Sequence, residues 1–230
     1  MSERETAVIV GAGSGLSASL ARLCAEEGMG VVLAARDVGK LDGLAGEIGA
    51  SAVSCDATDR EHVERLFATT RSEHGVPDLV VYNPSARARG PIVDLDPDEV
   101  DAALRITCFG GFLVARAAAR AMLERGSGSI QFTGASASVK GYAESASFAM
   151  GKFGLRGLAQ SMARELAPKN IHVAHFVIDG GIASVDRDRV GERDEWLDPD
   201  AIARTYLHVH RQHRSAWTWE VELRPWVERF

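Results

Sequence analysis

A run of small residues follows the first apolar stretch of the chain and is suited to binding phosphate. Gly11-Ala12-Gly13-Ser14-Gly15 comes directly after the strand-like segment Ala7–Val10 and directly before a stretch with helical spacing. Backbone N–H groups in such a turn can approach a pyrophosphate, and the helix amino terminus adds positive potential. The spacing is Gly-x-x-x-Gly rather than G-x-G-x-x-G, because Leu16 stands where the last glycine would fall. Glycine also serves tight turns for steric reasons alone, so it is the position at the first β–α junction that indicates a dinucleotide.

The end of the second strand-like segment, Val31–Ala35, bears on which dinucleotide binds. A carboxylate there would hydrogen-bond the ribose 2′-hydroxyl of NAD, but Ala35 offers none, and Arg36 offers a guanidinium suited to the 2′-phosphate of NADP. Asp37 follows, and strict strand alternation would point it to the other face. A solvated arginine at the start of a loop is the alternative for Arg36. The sequence therefore predicts NADP rather than NAD.

Strand-like and helix-like segments alternate along the chain and would position these residues. The apolar runs predict strands at Ala7–Val10, Val31–Ala35, Val53–Cys55, Leu79–Tyr82, Ser129–Thr133, Ile171–Ile178 and Trp217–Leu223. Helical spacing predicts helices at Ser14–Gly28, Asp59–His74, about 98–125, about 145–168 and Pro199–His213. This alternation implies right-handed crossovers and a parallel sheet. We expect residues 1–230 to form one α/β domain, a doubly wound parallel sheet of about seven strands (Rossmann fold), with a charged, flap-like segment near 185–197.

Composition limits the partners. The formal net charge of 230 residues is −6, which provides no basic field for nucleic acid or anionic membrane. The first apolar run is far too short for a signal peptide or a membrane span. Three cysteines lie far apart in apolar stretches, which is typical of reduced core thiols in a cytoplasmic protein. His208, His210 and His213 fall on different faces of a helix, so we expect no metal site.

These features, in this order, resemble the short-chain dehydrogenase/reductase family from about residue 6 to residue 182. The glycine turn is similar to the family's Thr-Gly-x-x-x-Gly-x-Gly motif, from which Val10 and Ser17 depart. Asp56 resembles the family aspartate that contacts adenine, and Asn83 retains one asparagine of Asn-Asn-Ala-Gly. The resemblance implies an NADP site that comprises Gly11, Ser14, Gly15, Leu16, Arg36, Asp56, Asn83, Lys152 and Ile182.

The catalytic positions implied by the resemblance are mostly replaced. The family's Asn, Ser and Tyr become Thr107, Ala135 and Phe148, and only Lys152 of the tetrad is retained. Phenylalanine has no hydroxyl to exchange a proton, and the alanine side chain cannot hydrogen-bond a carbonyl. A positioned acid–base group is worth roughly 10²–10⁴-fold in rate. We therefore expect cofactor binding to survive this loss and ordinary ketone reduction to be crippled.

Neighbouring polar residues are candidate substitutes. Ser136 adjoins the serine position, and Tyr142, Ser145 and Ser147 lie in the segment that flanks the substrate in the family. Tyr142 is the best substitute proton donor, with a role in packing or in the pocket wall as the alternative, whereas Ser147 should face away. Arg87 and Arg89 would attract an anionic substrate or the cofactor phosphates, unless they belong to a solvated loop.

Two functions from different classes stay open. One is an NADP-dependent oxidoreductase that moves a hydride to or from a small carbonyl, alcohol or activated alkene by means of a divergent site. The other is a non-catalytic NADP-binding sensor or scaffold subunit. The resemblance also implies a homodimer or homotetramer built on the two long helices. The tryptophans of the carboxyl-terminal region should pack between subunits or onto the core: Trp217, Trp219 and Trp226.

Overall fold

The computed structural model describes residues 4–183 and 195–228, and these contain one parallel sheet with the strand order β3-β2-β1-β4-β5-β6-β7. The strands are β1 Thr6–Val10, β2 Gly30–Ala35, β3 Ser51–Ser54, β4 Leu79–Tyr82, β5 Gly128–Thr133, β6 Ile171–Ile178 and β7 Glu220–Leu223. Helices cover both faces, so the predicted doubly wound α/β fold is confirmed. The flap predicted near 185–197 falls mostly outside the described residues.

Alternate side chains of the strands point to opposite faces of the sheet and pack into two hydrophobic layers, one on each face. The helices are α1 Leu16–Glu26, α2 Asp42–Ile48, α3 Arg60–His74, α4 Pro97–Leu104, α5 Gly110–Arg125, α6 Ala146–Leu166 and α7 Pro199–His210. In β1, Ile9 packs on the layer that contains α1 and α7, whereas Val8 packs on the layer that contains α3, α5 and α6. Strands buried on both faces account for their continuous apolar sequences.

The sheet register brings the predicted cofactor residues to one edge. Val10, the last residue of β1, pairs with Ala34 of β2 on one side and with Tyr82 of β4 on the other. The loops after all three strands therefore leave the sheet at the same height. Since the chain turns to opposite sides of β1 on going from β2 to β4, this is the switch point at which open α/β sheets form a ligand crevice.

The sequence predicted two helical regions less accurately. The stretch Pro97–Arg125 is continuous but contains a π-helical turn, Arg105–Phe109, between α4 and α5. Tyr82 holds this turn, because its hydroxyl donates to the carbonyl of Ile106. Helix α2 was missed, because the glycines in and just before it disfavour a helix. By length and composition Pro97–Arg125 could cross a membrane, but half of its apolar window is buried, as in a core helix.

Candidate active site

A cleft of about 770 Å³ opens at the carboxyl ends of β1, β2 and β4. Its lining includes the glycine turn 11–14, Arg36, Asp56 and Asn83. Residues predicted from three separate parts of the sequence therefore meet at one site. Gly15 and Leu16 lie immediately behind this lining, where Gly15 precedes α1 and Leu16 is buried against the core.

The glycine turn is shaped by close contacts at one end and is open at the other. Gly11 has φ +78°, and a Cβ at this position would lie 2.7 Å from the backbone nitrogen of Pro84. The N–H groups of Gly11 and Ala12 both donate to the carbonyl of Ala34, which fixes the turn against β2. By contrast, a Cβ on Gly13 or Gly15 would meet nothing within 4 Å. The backbone of Gly13 and Gly15 is therefore open to the approach of another group.

Ser17, which departs from the family pattern, connects two parts of the cleft wall. The Asn83 side chain donates from Nδ2 to Ser17 Oγ at 2.7 Å, and Ser17 Oγ donates to the carbonyl of Gly11 at 3.1 Å. The loop after β4 is thereby tied to the glycine turn. Sequence comparison with a motif could only mark Ser17 as a departure, since the hydroxyl acquires its role from a residue 66 positions away.

The residues after β2 place two cations in the cleft. Arg36 and Lys40 both line it, and so does Asp37, whose Oδ2 lies 3.5 Å from Lys40 Nζ. The sequence places Asp37 on the other face only if strand alternation continues, and it does not continue, because the strand ends at Ala35. Lys40 was missed because it lies in a short 3-10 helix that the sequence did not predict.

Asp56 is held facing the same cleft. Its Oδ1 accepts from the backbone N–H of Thr58 at 2.9 Å and from the Thr58 hydroxyl at 2.8 Å. These two bonds fix the carboxylate just after β3, and its predicted contact with adenine stays a prediction.

A second cleft, of about 610 Å³, continues from the first and shares Asn83 and Ser85 with it. The predicted catalytic positions of β5 and α6 meet here, together with Tyr142 and Ile182: the lining includes Ala135, Phe148 and Lys152. Ser136 and Ser145 also line this cleft. The two clefts therefore form one groove along the carboxyl edge of the sheet.

Lys152 is buried at the base of this second cleft. Its ammonium nitrogen donates to the carbonyl of Thr133 at 2.7 Å, and 2% of the residue is exposed. Burial, and secondarily the nearby charge of Arg87, lower the pKa of Lys152 to about 7. A lysine with this pKa changes its protonation state near neutral pH, unlike an ordinary surface lysine.

Two cations flank the phenyl ring at the family's tyrosine position. The guanidinium carbon of Arg87 lies 4.0 Å from the ring centroid of Phe148, and the ammonium nitrogen of Lys152 lies 5.8 Å from it. Both distances fall within the range of cation–π attraction. The Phe148 ring is thus an apolar surface with two cationic groups close to it.

Thr107 lies outside this cleft. It is buried in the π-helical turn, where its hydroxyl accepts from the N–H of Ala86 at 3.0 Å and donates to the carbonyl of Ala86 at 3.1 Å. Ser147 makes the same pair of bonds with the N–H and the carbonyl of Ala88, at 2.9 and 2.8 Å. Ser147 therefore faces away from the cleft, in the direction that the sequence predicted.

A buried polar chain supports the loop after β5. Ser138 Oγ lies 3.2 Å from His175 Nε2, and His175 Nδ1 lies 3.1 Å from Glu220 Oε2. Arg156 holds the same carboxylate with two bonds of 2.6 and 2.8 Å. Burial lowers the pKa of His175 to about 4, so this histidine is neutral at neutral pH. The chain joins the loop at the cleft to α6 and β7.

Two of the histidines that the sequence analysis rejected as metal ligands lie beside other polar groups. His210 Nε2 lies 3.7 Å from Glu5 Oε1, and His213 Nδ1 lies 2.8 Å from the hydroxyl of Ser215.

The tryptophans differ in exposure. Trp217 stacks on His172 with a centroid separation of 4.7 Å, and Trp219 lies 5.6 Å from the guanidinium of Arg156. These two rings therefore contact side chains of β6 and α6, whereas Trp226 is 80% exposed.

Comparison with known proteins places this geometry in context. The family described as short chain dehydrogenase matches residues 5–192. A crystal structure of a short-chain dehydrogenase from Rhodopseudomonas palustris superimposes with a TM-score of 0.85 at 37% identity, covering 96% of this chain and 99% of that one. A metagenomic short-chain oxidoreductase in complex with NADP gives a TM-score of 0.84 at 29% identity, covering 96% and 97%. The (+)-borneol dehydrogenase 1 of Salvia officinalis is 33% identical, covering 93% of this chain and 89% of that protein.

Proposed function

The chain belongs to the short-chain dehydrogenase family, and from this premise we propose that it is an NADP-dependent oxidoreductase with a divergent proton-transfer site. The observation that carries the proposal is one continuous groove, in which the open glycine turn and Arg36 lie at one end and Lys152 lies at the other. A small carbonyl, alcohol or activated alkene is the substrate class that suits the remaining space.

The residues of the chain fit NADP by their chemistry. The N–H groups of the glycine turn and of the α1 amino terminus bind the pyrophosphate, in the open space around Gly13 and Gly15. Arg36 and Lys40 bind the 2′-phosphate, and Asp56 accepts from the adenine. The other predicted contacts come from Gly11, Ser14, Leu16, Asn83, Lys152 and Ile182, with Lys152 on the ribose hydroxyls. A relative solved in complex with NADP supports this choice of dinucleotide.

When bound, the dinucleotide supplies or accepts a hydride. The chain's own residues must then orient the substrate, exclude water and move a proton. Phe148 and Ala135 contribute no proton through their side chains, but the described residues that line the cleft include other donors, among them the Lys152 ammonium and the hydroxyls of Tyr142, Ser136 and Ser145. Because the pKa of Lys152 is lowered to about 7, its ammonium can release a proton at neutral pH. Lys152 is therefore the proposed proton source, with Tyr142 as the substitute.

A second candidate function is a non-catalytic NADP-binding sensor or scaffold. The observation that favours it is that Ala135 and Phe148 lack the groups that would hold and protonate a carbonyl oxygen, while Thr107 is engaged with Ala86. Nucleotide occupancy would then bias assembly with a partner instead of supporting turnover.

Two assays separate these functions. NADPH oxidation across a panel of ketones, aldehydes and enones should exceed the enzyme-free blank if the protein is an oxidoreductase. The double substitution Phe148→Tyr with Ala135→Ser should raise the rate further, because it restores a proton donor beside an existing pocket. No turnover by either protein, together with tight NADP binding, would favour the sensor or scaffold.

The exposed surface of α5 and α6 supports a homodimer or homotetramer. Phe109, Phe112, Met150 and Phe153 are each between 42% and 54% exposed there. Three of them, Phe109, Phe112 and Met150, line a groove of about 450 Å³ between α4, α5 and α6. Apolar exposure on this scale is typical of an interface, and a second copy of the chain is its proposed occupant. Light scattering of wild type and of Phe112→Glu tests this, since the variant should shift toward monomer.

We also propose a reducing compartment such as the cytoplasm. Cys24 and Cys55 are buried free thiols, and burial raises their pKa values to about 12 and about 11. Thiols held in the protonated form inside the core have no role in disulfide chemistry.

A further inference from the structure

A buried carboxylate lies in the second cleft, immediately after β6. Asp179 follows Ile178, the last residue of β6, and lines the cleft beside Gly180 and Ile182. Only 6% of the residue is exposed. An ionised carboxylate accepts hydrogen bonds and donates none, and burial removes the water that would otherwise supply donors. The Asp179 side chain therefore needs hydrogen-bond donors from the protein or from a bound molecule.

Lys140 supplies a donor to one of the two carboxylate oxygens. Its ammonium nitrogen lies 3.3 Å from Asp179 Oδ2. The other oxygen, Oδ1, has no hydrogen-bond partner among residues 4–183 and 195–228. Since the Asp179 side chain lines the cleft, this oxygen is available to a molecule that enters the cleft.

The backbone at and just after the carboxylate is fixed by neighbouring elements. The N–H of Asp179 donates to the carbonyl of Leu223, the last residue of β7, at 2.8 Å. Two residues further along the chain, the carbonyl of Gly181 accepts from the N–H of Leu197 at 2.9 Å. A carboxylate that is already held in place loses little conformational freedom when a ligand binds, which favours a specific hydrogen bond.

Asp179 also lies in the part of the groove that the nicotinamide end of the cofactor would occupy. It precedes by three residues Ile182, which the family resemblance places in the NADP site, and it lines the same cleft as Lys152. Hydride transfer requires the reacting carbon to lie beside the nicotinamide. A carboxylate in this cleft would therefore meet a substituent close to the reacting carbon.

We propose that Asp179 is a specificity-determining residue whose Oδ1 accepts a hydrogen bond from a hydroxyl group of the substrate. The substrate class is then a carbonyl compound with a hydroxyl on the neighbouring carbon, or the corresponding vicinal diol in the reverse direction. The proposal rests on the oxidoreductase function proposed above and narrows its substrate class. A neutral hydroxyl suits Oδ1 better than an ammonium group, because Lys140 already places one cation beside the carboxylate.

Matched ligands test the proposal in the wild-type protein without ketone reduction. 2-Hydroxyacetophenone, 2-methoxyacetophenone and acetophenone are titrated by calorimetry into the protein, both alone and saturated with oxidised NADP, which cannot reduce a ketone. The hydroxy ketone should bind roughly 10- to 100-fold more tightly than the other two, the range expected for a hydrogen bond to a charged group. The methyl ether lacks the donor, and acetophenone lacks it without adding bulk.

Two results of this titration would overturn the proposal. One is binding of the hydroxy ketone no tighter than that of acetophenone, and the other is no binding of any of the three ligands. Because the comparison is made in the wild-type protein, it decides the question whether or not a variant folds.

Substitutions assign the preference to Asp179. Asp179→Asn keeps the size and one acceptor oxygen but loses the charge, so it should retain only part of the preference for the hydroxy ketone, and Asp179→Ala should abolish it. Neither change should alter NADP affinity. Asp101→Asn is the matched control and should keep the full preference, since Asp101 is also paired with a cation, Arg105, but lines neither cleft. An undiminished preference in Asp179→Ala would show that Asp179 does not bind the hydroxyl.

Failure of this proposal and failure of the proposed function give different results. A preference for the hydroxy ketone in a protein that fails to bind NADP would reject the dinucleotide proposal and leave the hydroxyl site standing. Reduction of acetophenone and of 2-hydroxyacetophenone with equal kcat/KM would retain the oxidoreductase function and reject the role given to Asp179.

Discussion

The guanidinium of Arg87 lies over the face of the Phe148 ring, with 4.0 Å between its central carbon and the ring centroid. The phenyl ring has no hydroxyl and cannot transfer a proton, but its face can attract a cation. The ring and the guanidinium therefore give this part of the second cleft a cationic surface. The glycine turn and Arg36 lie in the adjoining first cleft.

Two glycines of the same turn should respond differently to alanine. Gly11→Ala combines a positive φ with a contact of 2.7 Å to Pro84, so it should destabilise the protein by about 3 kcal/mol. Gly13→Ala meets nothing within 4 Å and should leave stability unchanged, yet its methyl group would enter the cleft and weaken NADP binding about 10-fold or more. Urea denaturation and calorimetry measure the two effects. Equal stability losses in the two variants would contradict the description of the turn.

Lys152→Met should stabilise the protein at low pH and abolish the proposed contact of Lys152 with the ribose. The pKa of Lys152 is about 7 in the folded protein and 10.5 is its ordinary value, so the unfolded chain binds the proton more tightly between these pH values. The destabilising effect of Lys152 is complete below pH 7 and disappears as the pH rises toward 10.5. After subtraction of the bond to Thr133, we expect a gain of about 3 kcal/mol at pH 6.

Denaturation at pH 6 and pH 10 measures this gain. Lys169→Met, which removes an exposed lysine, is the control and should show no comparable dependence on pH. A Lys152→Met variant that is no more stable than wild type at pH 6 would show that the lysine is not buried as described.

His175 should make the protein sensitive to acid. Its pKa is lowered to about 4 from an ordinary value of 6.5, so the unfolded chain takes up a proton first as the pH falls. The stability associated with this neutral histidine is present above pH 6.5 and is lost between pH 6.5 and pH 4, by about 3 kcal/mol. Because glutamine does not titrate, the His175→Gln variant should lose about 3 kcal/mol less stability than wild type between pH 6.5 and pH 4. His208→Gln, on the exposed face of α7, should follow the wild-type profile.

The sequence predicted most of the framework, and several residues that it proposed for dinucleotide binding line one cleft, although their binding role stays a prediction. The bounds of β4 and β6 agree with the structure, because strands buried on both faces are continuous apolar runs. Helix α2 was missed because its glycines disfavour a helix, although partly buried residues such as Leu44 and Ile48 pack against the core. Lys40 was missed because its 3-10 helix was not predicted. The face given to Asp37 depended on continued strand alternation, and the strand ends at Ala35.

The substrate half of the site could be located from the sequence but not interpreted. The resemblance implies that Thr107, Ala135 and Phe148 stand in place of the family's Asn, Ser and Tyr. It shows only which side-chain groups would be absent. What took their place depends on contacts across the fold, such as the Thr107 hydroxyl on Ala86 and the Arg87 guanidinium on Phe148. No local pattern encodes these contacts, since the partners lie 21 or more residues apart.

The central claim is that the groove binds NADP through the glycine turn and Arg36, and calorimetric titration of the purified protein with NADP and with NAD tests it most directly. We predict that NADP binds at least about 10-fold more tightly than NAD and that Arg36→Gln removes this difference while leaving NAD affinity unchanged. Absence of heat with both dinucleotides, or an undiminished preference for NADP in Arg36→Gln, would contradict the account.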